Sequence, residues 1–157
     1  YFKNIMKLKY ISLLFPLLMY GCGGESKRIP IASEAEDNIF YIKDQTVYLS
    51  TNKSTDISEF EADKYDIDRE KGLVLLNISV INNKDFTSSN VKIDVTANNL
   101  IGQKKEIEIL EIVENNSISY AALTSVSNLE TLNYDIKVTL IDGSSKNFKY
   151  THQFYTE

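Results

Sequence analysis

Few residues in this chain have the types and spacing that chemistry asks for. Cys22 is the only cysteine and His152 the only histidine. One histidine cannot assemble a metal site without other ligands, and order along the chain alone supports no Ser-His-Asp arrangement. His152 falls between Tyr150 and Phe154 in a late alternating run, which places it on the apolar face of a strand, as a packing residue. Asp56, Glu59, Glu61, Asp63, Asp66, Asp68 and Glu70 offer the oxygen ligands that calcium takes, but without the alternation, central Gly and distal Glu of an EF-hand loop. Two carboxylates hydrolysing a glycoside must face each other across a cleft, about 5–5.5 or about 6.5–9.5 Å apart, whereas these acids share one local segment. They read as the solvated face of a short helix and its exit loop. Ten tyrosines are many for 157 residues. Tyr41, Tyr48, Tyr120, Tyr134, Tyr150 and Tyr155 could line a ligand groove, although packing in the core and at sheet edges accounts for them more simply. No cofactor is expected, and the chain reads as non-catalytic.

Cys22 has a different context. Lys7 and Lys9 precede a nine-residue apolar block, 11–19, that ends at Tyr20-Gly21-Cys22-Gly23-Gly24. Spanning a bilayer takes about twenty residues, so the block is too short for a transmembrane helix and fits the core of a secretory signal. Met6 is the expected initiator, with 1–5 upstream of it. Gly21-Cys22-Gly23-Gly24 is not a phosphate loop, because no strand, lysine or helix start follows. It resembles a bacterial lipobox, in which a small residue precedes a cysteine that is lipidated and becomes the mature N-terminus. Gly21 suits that motif; Met19 and Tyr20 suit it less well, and the alternative is an ordinary secreted protein. The expectation is a signal peptide over 1–21, a lipidated Cys22 opening a flexible tether over 22–37, and a domain over 38–157. Several acyl chains would hold the protein on the membrane, since one chain binds only reversibly. Absence of Asp after Cys22 favours the periplasmic face of the outer membrane over the inner one.

Composition narrows the partners. Losing Lys3, Lys7 and Lys9 with the leader deepens the formal charge from -5 to -8. Such a surface repels phosphate backbones, so nucleic acid is not an expected partner. A hydrophobic content of 43% is enough for a core, and with one cysteine that core must hold the fold without an internal disulfide.

Past residue 38 the dominant period is two. Residues 39–42 and 46–49 are short β-branched and aromatic runs split by Lys43-Asp44, which predicts two strands or a hairpin. Asp56 followed by Glu59 is a capping-box pattern, with Ile57, Phe60 and Tyr65 at near-helical spacing, so 54–65 is read as one short helix. Val74, Leu76, Ile78 and Val80 share a face, while Leu73 and Leu75 make that strand apolar on both sides, as in a central strand. Val91, Ile93, Val95 and Ala97 alternate with Lys92, Asp94, Thr96 and Asn98. In 104–114 the phase slips: Ile107 and Ile109 share one face, Leu110 and Ile112 the other, which predicts a bulge or strand bend near Ile109-Leu110. Ile118, Tyr120 and Ala122 mark another strand. Leu132 to Leu140 alternates cleanly, and Asp142-Gly143 signals a hairpin into Phe148, Tyr150, His152 and Phe154. The result is an all-β fold, an antiparallel immunoglobulin-like β-sandwich of about seven or eight strands with one short helix near the N-terminal side. The chain has no Trp and no Cys…Trp…Cys signature, so it is not an antibody-type domain.

Several segments then resemble one family in order. The stretch from Asp68-Arg69-Glu70-Lys71 through Leu75-Leu76-Asn77-Ile78-Ser79-Val80 is similar to its Arg-Ser-Lys … Leu-Leu-Asn-Ile-Ser-Val segment, and Asn99-Leu100-Ile101-Gly102-Gln103 to its Asn-Leu-Leu-Gly-Gln turn. Glu111-Ile112-Val113-Glu114, with Ile118 and Tyr120, resembles its Glu-Ile-x-Glu segment and the strand after it, and Phe154-Tyr155-Thr156-Glu157 its closing Phe-Tyr-Thr-Asp. The family is that of exported bacterial proteins grouped as domain of unknown function 4426. The resemblance covers most of 38–157 and implies no activity. It departs at Val47-Tyr48-Leu49, where the family's Val-His-Tyr has a histidine that is absent here.

Two readings of function follow. One is a non-catalytic envelope lipoprotein, attached to the membrane through its lipid, whose domain binds another exported protein through an exposed strand edge; Arg69, Tyr120, His152 and Tyr155 are the candidates for its interaction surface. Arg69-Glu70-Lys71 is also placed to pair with acids around Glu111 and Glu114. The alternative is binding of a metabolite or glycan in a tyrosine-lined groove.

Overall fold

A computed structural model describes residues 37–157. The leader, Cys22 and nearly all of the tether lie outside the described residues. Within them the chain forms eight strands: β1 (Ile39–Ile42), β2 (Gln45–Lys53), β3 (Leu73–Asn82), β4 (Lys92–Asn99), β5 (Glu108–Glu114), β6 (Ser117–Ser125), β7 (Thr131–Thr139) and β8 (Ser145–Gln153). A 3₁₀ turn, Ser54–Asp56, and one α-helix, α1 (Glu59–Tyr65), fall between β2 and β3. The strands pair antiparallel into a five-stranded sheet, β1-β2-β3-β6-β5, and a three-stranded sheet, β4-β7-β8. The all-β architecture expected from the two-residue period therefore forms, with all eight strands antiparallel to their neighbours.

One apolar core joins the sheets. Val74, Leu76, Ile78 and Val80 of β3, fully buried, meet Leu132, Tyr134, Ile136 and Val138 of β7, with Ile93, Val95 and Ala97 from β4 and Phe148 and Tyr150 from β8. The opposite face of the three-stranded sheet carries Asp94 across from Lys137 and Asp135 across from Lys149. Opposite charges at directly facing positions suit a solvated sheet face. A second, smaller core lies on the other side of the five-stranded sheet. There Leu75, Ala121 and Leu123 are buried with Ile67, and Ile57, Tyr65, Leu110 and Ile112 pack around them. Leu73 and Leu75 signalled this two-sided burial in the sequence.

The helix departs from its expected start. Its N-cap is Ser58, whose hydroxyl accepts from the Glu61 amide while the Glu61 carboxylate accepts from the Ser58 amide. Asp56 is not the cap, because Ser54 is fully buried and fixes the preceding turn: its hydroxyl donates to the Glu70 carbonyl and accepts from the Glu70 amide, both at 2.9 Å. Residues 54–56 are thereby held as a 3₁₀ turn, and Ile57 is extended, so the helix begins two residues later. Ile57 and Tyr65 face the small core as expected, but Phe60 is 77% exposed and Ala62 is the buried helical residue. Asp66 ends the helix in the left-handed region, φ 55°.

No bulge forms in β5. Its register on β6 runs unbroken from Glu108 opposite Leu123 to Glu114 opposite Ser117. Leu110 and Ile112 serve the small core under α1, while Ile107 packs on the main core just before the strand starts. Both apolar phases are real, and each has its own neighbours.

One end of the molecule is closed by a polar knot between loops. Lys105 bonds both carboxylate oxygens of Glu130 at 3.1 Å, and the Asn99 side chain and the Ser127 amide donate to the same carboxylate. Both charged side chains are largely buried. Burial opposes ionisation of Glu130, but the Ser127 amide, Lys105 and Asn99 outweigh it, and the carboxyl titrates below its ordinary 4.5. Nearby in the core, the Tyr134 hydroxyl is buried with no hydrogen-bond partner among the described residues, and desolvation pushes its pKa upward.

Two stability tests follow. Tyr134→Phe removes an unsatisfied buried hydroxyl, a group that costs about 1–3 kcal/mol when left unpaired. Chemical denaturation should find the variant as stable as the parent or up to about 1 kcal/mol more stable; a loss of that size would contradict the assignment. Glu130 has a folded-state pKa below its unfolded value, so its contribution is complete above pH 4.5 and is lost as pH falls through the folded pKa. Glu130→Gln should lower stability at pH 7 by about 1.5–3 kcal/mol, the range for hydrogen bonds to charged groups. The same variant should flatten the decline in stability on acidification below pH 4.5.

Candidate functional site

Alternation along β8 sends Phe148, Tyr150 and His152 inward, and Phe154 follows in the same phase just past the strand. The His152 ring stacks parallel to Tyr150, 6.1 Å between centroids, and meets the Phe154 ring edge-on at 4.8 Å. Its Nε2 lies 3.1 Å from the Thr51 hydroxyl on β2, so the imidazole bridges the two sheets. A shallow groove of about 200 Å³ opens here, lined by Thr51, Lys53, Asp56, His152 and Tyr155 among others. Small-molecule sites run from about 300 to 1,000 Å³, so this groove is short of a metabolite's needs. The packing role expected for His152 is the one its aromatic neighbours support.

The four candidate surface residues do not share a surface. His152 and Tyr155 line the same groove. Arg69 sits over the 3₁₀ turn, donating to the Thr55 carbonyl at 2.9 Å and to Glu59 at 3.3 Å. It pairs with Glu59 rather than with the acids around Glu111, and Lys64 on the helix takes Glu114 instead, at 2.9 Å. Tyr120 is buried, and its hydroxyl accepts from the Val91 amide at 3.0 Å, tying β6 to the start of β4. It serves the fold and presents no surface. Nor do the tyrosines form one groove. Tyr120, Tyr134 and Tyr150 are in the core, while Tyr41, Tyr48 and Tyr155 are exposed.

The acidic cluster is split by its own hydrogen bonds. Glu61 caps the helix and Glu59 holds Arg69. Asp66, Asp68 and Glu70 turn toward a basin of about 430 Å³ that Glu106 and Glu108 share from the start of β5. Sequence separation concealed those two partners. Among the described residues no three His, Cys, Asp or Glu side chains are grouped as a metal site.

The remaining feature is the outer edge of β5, with which no strand pairs among the described residues. The Val126 amide bonds the Gly72 carbonyl, which fixes the phase of the β3–β6 ladder. Hydrogen-bonded pairs recur every second residue, so even-numbered residues of β6 bond β3 and odd-numbered ones bond β5. Carried through the β5–β6 register, this points the amides and carbonyls of Ile109, Glu111 and Val113 away from the sheet. Their side chains lie on the core side, opposite Ala122, Tyr120 and Ile118, yet Ile109 is 38% and Val113 53% exposed. The narrower sheet does not cover them.

The comparisons with known proteins agree with this fold. Residues 41–157 match the family model described as Domain of unknown function (DUF4426). A crystal structure of a DUF4426 family protein from Pseudomonas aeruginosa PAO1 superposes with a TM-score of 0.69 at 19% identity, over 78% of this chain and 96% of that one; at such identity the likeness is one of fold. FetP of uropathogenic E. coli strain F11, recombinantly expressed in the periplasm of E. coli, gives a TM-score of 0.48 at 11% identity, over 74% of this chain and 92% of its own, too distant to support an argument. No curated protein matches. Among the described residues no helix is long and apolar enough to cross a membrane. The family match, extending over nearly all of the two-sheet body and agreeing with the fold of a solved member, makes this chain a member of the DUF4426 family.

Proposed function

We propose that the chain is a non-catalytic envelope lipoprotein, anchored through Cys22 on the periplasmic face of the outer membrane, whose β domain binds another exported protein. The same reading takes the two-sheet body as immunoglobulin-like in the loose sense. The observation that carries the proposal is the edge of β5, where outward-pointing backbone groups coincide with the uncovered side chains of Ile109 and Val113. Soluble proteins commonly blunt such edges, because an unpaired row of amides and carbonyls is a template for another strand. An edge left open beside apolar side chains is the arrangement that strand addition uses. The anchor is supported by the apolar block ending at Gly21-Cys22.

Two measurements test the parts separately. Cells fed a palmitate analogue should label the parent chain and not Cys22→Ala; label retained by that variant refutes the anchor. A photo-crosslinking residue at Val113 should give one discrete adduct in cells, and the same residue at Asp135, on the solvated face of the other sheet, should give none. Equal adduct patterns from both positions would remove β5 as the binding site.

A further inference from the structure

The open edge of β5 has a charge as well as a shape. Glu108, Glu111 and Glu114 lie along the strand, and Asp66, Asp68, Glu70 and Glu106 surround the basin at its first residues. Among the described residues, only Glu114 of these acids has a cation partner, Lys64. Natural edges are often guarded by lysine; the charged residues within this strand are all carboxylates. That choice excludes one occupant. In a twofold β5–β5 pairing centred on Glu111, the two Glu111 side chains would face each other directly, and like charges at facing positions are destabilising. A second copy of the chain is therefore a poor match.

We propose that the β5 edge accepts an extended segment of a partner protein as a sixth strand of the five-stranded sheet, and that this segment carries lysine or arginine between apolar residues. The proposal rests on the reading of the chain as an interaction module and specifies the chemistry of what it binds. On the core side, the incoming strand meets Ile109, Glu111 and Val113 in succession, which calls for an apolar, a basic and an apolar side chain at alternate positions. On the opposite side Leu110 and Ile112 belong to the small core under α1, and Glu108, Glu114 and the acidic basin flank them, which calls for basic side chains toward the ends of the segment. Its backbone bonds the free groups of Ile109, Glu111 and Val113. The last of these carbonyls already has a weak partner in the Tyr65 hydroxyl, at 3.4 Å, so contact concentrates over 109–112.

The probe is an acetylated, amidated heptapeptide, Lys-Val-Lys-Lys-Lys-Val-Lys, whose pattern reads the same in both directions. It is titrated into the ¹⁵N-labelled full chain in mild detergent, with two control peptides: one with glutamate in place of every lysine, and one with proline at the centre. The expected result is chemical-shift change and exchange protection centred on the amides of Ile109, Glu111 and Val113, with at least tenfold weaker binding of both controls. Glu111→Pro removes an outward N–H without touching the ladder to β6 and should weaken binding at least tenfold, while Lys137→Glu on the other sheet leaves it unchanged. If Glu111→Pro does not fold, Ile109→Lys keeps the backbone open and should weaken binding at least fivefold. Equal binding of the proline-centred peptide would show attraction by charge alone and overturn strand addition. Protection that maps elsewhere, or a dimer of the chain formed through β5, would overturn it as well. Should the peptide fail while Val113 still crosslinks one protein in cells, the basic-strand proposal falls and the broader reading stands. If both fail, both fall.

Discussion

The structure depends on burying β3 from both sides. Its inward residues, Val74 to Val80, are fully buried against the second sheet, and Leu75 on its other face is almost as inaccessible. A strand apolar on both faces cannot stand at a water-facing surface, since each exposed Val or Leu forgoes about 1.5–3 kcal/mol of burial. Something must cover each face. The three-stranded sheet covers one, and the connection from β2 to β3 folds back as α1 to cover the other. The buried Ser54 hydroxyl, bonded twice to Glu70, joins the two ends of that connection so that the helix lies on the sheet instead of trailing away from it.

Covering five strands with three leaves both margins of the larger sheet overhanging, and the two margins are finished differently. On the β1 side, Phe40 reaches the Phe148 ring at 5.0 Å, Lys146 donates to the Tyr41 carbonyl, and Lys43 pairs with Asp142. Aromatic contact and two cations close that margin. On the β5 side the inward positions hold Ile109, Glu111 and Val113, and no strand of the smaller sheet lies over them. The overhang follows from strand number; the asymmetry follows from the contacts that close the β1 margin and have no counterpart along Ile109, Glu111 and Val113 among the described residues.

Much of this was legible in the residues. The alternation of β4 and β7, the two-sided apolarity of β3 and the Asp142-Gly143 turn each follow from a local period or from turn chemistry. What stayed hidden depended on distant neighbours. The two apolar phases around 107–112 read as one strand needing a bulge, because nothing local reveals that a helix fifty residues earlier covers the second face. Two capping boxes overlap in 56–61, Asp56 with Glu59 and Ser58 with Glu61, and only the burial of Ser54 decides between them. As for the candidate site, alternation placed His152 inward, but its partner Thr51 is 101 residues away. Tyr120 looked available as a surface tyrosine because the Val91 amide that holds it belongs to another sheet. The acidic cluster was visible; the arrival of Glu106 and Glu108 beside it was not.

An open edge strand is useful only if it keeps its shape without the neighbour it lacks, and β5 is pinned at both ends. Just before it begins, the Lys105 amide bonds the Ala97 carbonyl, the Lys105 ammonium enters the buried knot with Glu130, and the Thr124 hydroxyl donates to the Glu106 carbonyl. Where it finishes, Lys64 and the Tyr65 hydroxyl, both from α1, bond the Glu114 carboxylate. One clamp is largely buried and little screened by salt; the other is exposed and screened. The middle of the strand is thus stretched between fixed points with its ladder to β6 intact. A partner strand would meet a template already in the extended conformation, and the entropy of ordering that template has been spent in folding the domain. The same clamps that stabilise β5 without a neighbour therefore prepare it to receive one.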